Sequence, residues 1–183
     1  MYRQCTTEKT AMQQKIFHDA LYQALTEQPY SEISITQLCH QTGLSRNIFY
    51  RLFDCKDDVL YVLIDNCFFD CAKEIDSDDL KENLFAFYHF WKSKKEFLDT
   101  LKKNHLESLL TVRGIICCGR TNFGIQNLLK NSIEQCGPEI LTFYASGFIG
   151  LLFQWYIGNF SRSVDEMVEV TLQLINSTSL KIN

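Results

Sequence analysis

The 183-residue chain carries 18 Lys/Arg against 22 Asp/Glu, a net charge of −4, with two Pro and eight Gly. That length holds one ordinary core, or a small N-terminal domain and a larger second one, and the acidic balance excludes a protein coated in basic surface. Few breakers and abundant Leu, Lys, Glu and Gln favour an all-α chain, but 14 Phe and 8 Tyr suit strands equally well, so periodicity must decide.

The first helix is predicted from about Thr7 to Glu27, where Met12, Ile16, Ala20, Leu21, Ala24 and Leu25 recur at helical spacing and Pro29 prevents continuation. Two short helices follow. Ser34 and Gln37 make an S-x-x-Q capping box, Ile35, Leu38 and Cys39 share one face, and Gly43 ends the helix. Ser45 caps the next, in which Ile48, Phe49 and Leu52 point inward while Arg46, Asn47, Tyr50 and Arg51 face out. This is a helix-turn-helix pattern, which lays the N-terminal part of its second helix in a DNA major groove. Residues 1–56 hold six Lys/Arg and five Asp/Glu, and the remainder twelve and seventeen, so the halves are +1 and −5, the sign that DNA binding requires.

The pattern continues as Phe49-Tyr50-Arg51-Leu52-Phe53-Asp54-Cys55-Lys56-Asp57-Asp58-Val59-Leu60, and this run resembles the TetR/AcrR family of transcriptional regulators. The family's (I/V)-S-x-x-(T/S)-(F/L)-Y-x-(Y/H)-F-x-x-K-(E/D)-x-L is matched at Ser45, Phe49, Tyr50, Phe53, Lys56, Asp57 and Leu60. It is missed at Ile48, where Thr or Ser is usual, and at Leu52, where an aromatic or His is usual; both departures remove a polar group that could have touched DNA. The resemblance implies an N-terminal three-helix DNA-binding domain over residues 1–56, then a helical effector-binding and dimerisation domain over 57–183, about nine helices in all.

A fourth helix is expected from Asp54, as its cap, to about Ile75, carrying the chain into the second domain. Asp76-Ser77-Asp78-Asp79 breaks it and caps a helix from Leu80 to about Trp91, and Ser93-Lys94-Lys95-Glu96 reads as a further capping box. From Lys102 to Lys130 the period is helical around Leu106, Leu109 and Leu110 and uncertain around Gly114, Gly119 and Gly124. Gly137-Pro138 stops and restarts the chain into a helix running to about Tyr156 or Ile157, and Ser163-Val164-Asp165-Glu166 boxes the last one, with Val164, Met167, Val168, Thr171, Leu172 and Ile175 inward.

The penultimate helix lies within the apolar stretch from Leu141 to Phe160, long enough to span a bilayer, but Thr142, Ser146, Gln154, Asn159 and three glycines interrupt the stretch and no Lys/Arg cluster flanks it. It reads instead as a buried helix with two apolar faces: Leu141, Ala145, Phe148, Leu152 and Trp155 for its own domain, and Phe143, Gly147, Gly150 and Leu151 for a symmetry mate. The resemblance implies a four-helix dimer interface from the last two helices, giving Phe143, Gly147, Gly150, Leu151, Met167, Thr171 and Ile175 as interface candidates. The run from Ser146 to Trp155 also resembles the C-terminal domain of a Firmicutes-type subgroup of these regulators.

For DNA, Arg46 and Asn47 are the first candidates for base readout, since Arg pairs with guanine and Asn with adenine. Ser45 opens the same helix, and Tyr50, Lys56 and the helix start at Thr36 are candidates for phosphates. Gln37 can instead close the box on Ser34, Arg51 can pair with an acid on helix one or four, Tyr50 can be a packing residue and Lys56 a solvated charge. Phe87, Tyr88, Trp91, Phe123 and Phe143 could line a cavity for a small apolar or aromatic effector, or form a solid core. The N-terminal Met-Tyr-Arg-Gln-Cys-Thr-Thr-Glu-Lys lacks an apolar signal segment, so eight Cys are expected as free thiols in a cytoplasmic protein. Cys67/Cys71 and Cys117-Cys118 allow a thiol sensor or soft-metal site to be imagined, against the plainer role of small buried residues. The four His are dispersed, so no metal and no cofactor is expected. No enzyme is expected either, since no nucleophile with a paired base and no phosphate-binding glycine loop occurs. The leading reading is a homodimeric regulator, a repressor released from a pseudo-palindromic double-stranded operator by an effector, with activation also known in the resembling subgroup and no membrane partner. The alternative is a helical protein-interaction co-regulator whose helix-turn-helix no longer binds DNA.

Overall fold

The computed structural model describes residues 7–119 and 139–178. Among them the chain forms nine α-helices and no strand: α1 Glu8–Glu27, α2 Ile35–Thr42, α3 Arg46–Leu52, α4 Lys56–Glu74, α5 Leu80–Ser93, α6 Lys95–Lys103, α7 Glu107–Cys118, α8 Glu139–Ile157 and α9 Val164–Thr178, with one 3₁₀ turn at Tyr30–Glu32. Pro138, Phe123 and the glycines at 124 and 137 lie outside the described residues, and with them the helix restart read at Pro138.

Most helix starts are set by contacts within four residues. Thr7 caps α1 in a capping box closed by the Thr10 hydroxyl. At α9 the Glu166 carboxylate accepts the Ser163 N–H at 2.6 Å and the Ser163 hydroxyl accepts the Glu166 N–H at 3.2 Å, both halves of a box. Two starts differ from expectation. The helix expected to begin at an Asp54 cap begins at Lys56, and the contact runs the other way, with the Asp58 carboxylate accepting the Asp54 N–H at 2.9 Å. Ser93 belongs to α5, where its hydroxyl donates to the Phe90 carbonyl at 2.6 Å, and α6 opens at Lys95.

Two compact units result, one of Met1–Cys67 with Leu98–Glu107, the other of Phe68–Phe97 with Ser108–Asn183. The first unit runs past Lys56 to Cys67, and the early turns of α4 bury Val59, Leu60, Val62, Leu63 and Ile64. At the centre of that unit Phe17 meets Phe49 and Phe53 edge-on, with ring centroids 5.2 and 5.9 Å apart. The buried stripe of α1 runs through Gln13, Phe17, Leu21, Ala24 and Leu25, whereas Met12 is 60% exposed. The stripe phases on Phe17, Leu21 and Ala24, spaced four and three apart, which turns Met12 outward.

In the second unit α5 packs against α8 and α9. The Thr171 hydroxyl donates to the Met167 carbonyl at 2.7 Å, which leaves its oxygen to accept from the buried Tyr88 hydroxyl, also at 2.7 Å. Burial pushes Tyr88 up to about 12, with the Thr171 bond opposing. Trp155 meets Tyr88 edge-on at 5.4 Å and gives its indole N–H to the Arg162 carbonyl at 3.0 Å. Of α8, Ala145, Phe148, Leu152 and Trp155 are buried in the core of this unit, although the helix is apolar enough by length and composition to cross a membrane.

Candidate nucleic-acid interface

Two local devices shape the helix pair. The Ser34 hydroxyl accepts the Gln37 N–H at 3.1 Å to open α2, and Gly43 closes it at φ +67, a left-handed conformation that an L side chain adopts only at a cost. The Ser45 hydroxyl then accepts the Ile48 N–H at 3.3 Å and opens α3. Phe49 is completely buried, Leu52 nearly so, and Phe53 follows them into the core, so the inner side of α3 is fixed by packing. Each such side chain contributes about 1.5–3 kcal/mol by leaving water.

The outer side of α3 presents Arg46, Asn47 and Tyr50, all exposed, with Ser45 at its start; Thr36 is exposed and Gln37 half-exposed at the start of α2. The Arg46 guanidinium reaches the Tyr50 hydroxyl at 3.4 Å and lies 5.9 Å from the Tyr50 ring centre. Tyr50 is 43% exposed while its ring edges onto Phe49 at 5.4 Å, so it both packs and presents a hydroxyl. Arg46, Asn47 and Tyr50 therefore share one solvent-facing surface, as the spacing predicts.

Arg51 and Lys56 are placed differently. The Arg51 guanidinium donates to the Gln13 side-chain carbonyl of α1 at 3.0 Å. The Lys56 ammonium donates to the Tyr30 and Ile33 carbonyls at 2.6 and 2.7 Å and lies 4.0 Å from the Tyr30 ring centre. Two of its three N–H groups thus tie α4 to the 3₁₀ turn, and burial holds its pKa below the usual lysine value, with Asp57 opposing. The ammonium expected at a phosphate is thus fastened within the chain.

Tyr30 and Asn104, which the sequence pattern did not single out, complete this support. Tyr30 donates its hydroxyl to the Asp57 carboxylate, and burial together with that bond raises the phenol's pKa. Its N–H donates to the Asn104 side-chain carbonyl at 2.7 Å, across 74 residues of sequence. No local signal could have found that pair.

The other expectations fall in the second unit. Phe143 is 62% exposed, Gly147 and Gly150 are exposed and have open space where a Cβ would stand, and Leu151 is half-buried. With Thr171, Leu174 and Ile175 of α9 they line an open apolar groove of about 370 Å³. Met167 sits in the neighbouring groove, which shares Leu151. Of the expected effector residues, the four that are described do not converge: Tyr88 and Trp91 are buried in the core, Phe87 edges a cavity of about 30 Å³ beside Phe68, Leu84 and Phe148, and Phe143 faces outward. Among the described residues six cysteines are free and no cluster of His, Cys, Asp and Glu suits a metal. Burial pushes Cys118 up to about 11, which suppresses thiolate chemistry there.

No protein-family model and no curated protein matches the chain. Among solved structures it is similar to the "Dihydroxyacetone kinase operon activator DhaS", at 17% identity and a TM-score of 0.53, covering 90% of this chain and 94% of that one. At that identity the likeness is one of fold, an all-helical arrangement that spans nearly the whole of both chains.

Proposed function

We propose that the chain is a DNA-binding transcriptional regulator acting as a homodimer on a pseudo-palindromic operator. The observation that carries this reading is α3: its inner side is immobilised on Phe17 while Arg46, Asn47 and Tyr50 stand together on the outside, next to the exposed start of α2. Base edges fall to Arg46 and Asn47, and phosphates to Tyr50, Ser45, Thr36 and the free amides opening α2. The exposed face of α8 and α9 supports the second copy, since glycines at 147 and 150 allow close helix approach and an apolar groove of about 370 Å³ is left to fill.

Occupying a promoter represses by exclusion; DhaS is named an activator, and a reporter fusion reads which sign holds here. Release by an effector requires coupling of about 2.7 kcal/mol for a hundredfold loss of DNA affinity. The 30 Å³ cavity holds about one water, against roughly 300 Å³ or more for a small-molecule site, so an effector in that cavity must first open it.

The test is fluorescence anisotropy with the DNA upstream of the protein's own gene, titrated at several salt concentrations. Binding that weakens with salt, and weakens further by about 1–3 kcal/mol in Arg46→Ala, supports the reading. The competing reading, an interaction module without DNA affinity, draws on Arg51 and Lys56 being engaged inside the protomer. Absence of binding at 50 mM salt together with an inert Arg46→Ala would establish it instead.

A further inference from the structure

The C-terminal end of α1 has no basic residue in its last turn, and Gln28 beyond it is extended rather than left-handed, so only the Ala24 carbonyl is closed locally, by the Gln28 N–H at 2.9 Å. The next two carbonyls are closed by the last residue of α6 and the one that follows it. The Asn104 amide donates to the Leu25 carbonyl at 3.1 Å and the Lys103 ammonium to the Thr26 carbonyl at 3.1 Å. A helix end leaves such acceptors unsatisfied, and a cation there also favours the negative end of the helix.

The same Asn104 side chain does more than cap. Its second N–H donates to the Thr100 carbonyl at 2.9 Å, and its oxygen accepts the Tyr30 N–H at 2.7 Å, so both donors and the acceptor are engaged, each with backbone. Tyr30 is thereby held at all three polar groups: N–H by Asn104, carbonyl by Lys56, hydroxyl by Asp57. The tip carrying Asn104 is itself fixed, since His105 turns left-handed at φ 57 and the Leu106 N–H closes back on the Leu101 carbonyl at 2.9 Å. Three residues after Tyr30–Glu32 α2 begins, so the turn that Asn104 holds sets where the helix pair leaves α1.

We propose that Asn104 is a positioning residue for DNA reading: one carboxamide closes α1 and fixes the turn before α2, and so sets the orientation in which the helix pair is presented. This rests on the regulator reading above. It places a control point 79 residues from the carbonyl it caps.

The full-length protein and its Asn104→Ala and Asn104→Asp variants would be compared by hydrogen–deuterium exchange without DNA, and by anisotropy on the same upstream DNA. Asp keeps the acceptor for Tyr30 but sets a negative charge against the Leu25 carbonyl, so it should do no better than Ala. The expected result is about tenfold faster exchange confined to residues 25–33, no change in α8 and α9, and about tenfold weaker DNA binding at an unchanged salt slope. Unchanged exchange at 25–33, exchange raised throughout the chain, or exchange raised locally with undiminished DNA affinity would each overturn the assignment. Should Asn104→Ala fail to fold, Asn104→Gln, which keeps all three groups on a longer stem, is expected to move both readouts the same way by less, and no movement in either would sink the idea. If the unaltered protein binds no DNA, the regulator reading falls, while the exchange result still decides whether Asn104 holds the turn.

Discussion

Replacing Lys56 by Met separates two roles that one ammonium could play, because the motif places it at a phosphate and the structure turns it inward. Met retains an unbranched apolar stem over the Tyr30 ring and deletes the donors. The loss is two bonds from a charged donor, at 2.6 and 2.7 Å, and a cation 4.0 Å from an aromatic centre. Hydrogen bonds from charged groups contribute about 1.5–3 kcal/mol each. Lys56 is half-exposed and burial opposes its charge, so the lower end applies and water resolvates part of what is lost. The sum is about 2–3 kcal/mol of unfolding free energy. For a chain of this size that is a fall of about 5–10 °C in Tm, at roughly 2–4 °C per kcal/mol. Urea denaturation reads the stability, and anisotropy across a salt series reads the role: each phosphate contact removed flattens the plot of log K against log salt by about 0.9. The structure requires a large stability loss with an unchanged slope. A variant as stable as the parent to within about 0.5 kcal/mol, with a slope flattened by about 0.9, would refute the internal role and return Lys56 to the phosphate backbone.

Tyr88→Phe should cost about 1 kcal/mol at pH 8, for the bond to Thr171. The native phenol ionises near 12 and an unfolded one near 10, so the neutral form stabilises the fold below about pH 10 and that stability is lost as pH rises through 12. Two units correspond to about 3 kcal/mol, lost at about 1.4 kcal/mol per pH unit above pH 10, so urea midpoints should show the Phe variant overtaking the parent between about pH 10.5 and 11; a gap constant with pH contradicts this. Gly43→Ala should destabilise by about 1 kcal/mol through backbone strain alone, since φ is +67 and nothing lies within 4 Å of the added methyl; a neutral result in denaturant titration would remove that strain argument. Gly150→Glu adds a charge to the exposed face of α8, where a Cβ meets open space. It should leave the fold intact and shift sedimentation velocity from dimer to monomer, and a parent protein already monomeric at micromolar concentration would end the dimer proposal.

The chain's local grammar was legible without coordinates. Ser34, Ser45 and Ser163 each bond a backbone N–H three residues on, and Gly43 supplies the left-handed turn, so these contacts can be read in a short window. The same holds for the two faces of α8, whose period separates Ala145, Phe148, Leu152 and Trp155 from Gly147 and Gly150. The outward trio Arg46, Asn47 and Tyr50 follows once Phe49 and Leu52 are inward.

What the tertiary structure alone decided concerns side chains with more than one available partner. Lys56 could meet solvent, a phosphate or a carbonyl, and which one depends on where Tyr30 and Ile33 are brought, 26 and 23 residues away. Phe17 rather than Met12 became the centre of α1 because α3 delivers Phe49 and α4's entry delivers Phe53 to its ring. The aromatic set of the second unit could have been a chamber; Tyr88 and Trp91 instead fill the space between helices, and Phe143 lies on the outer face of α8. Asn104 carried no signal at all, since a carboxamide acquires its meaning from the backbone groups opposite it, and these come from residues 25, 30 and 100. Capping and periodicity are short-range and therefore written in the sequence, whereas the choice among competing donors and acceptors is made only when distant segments meet.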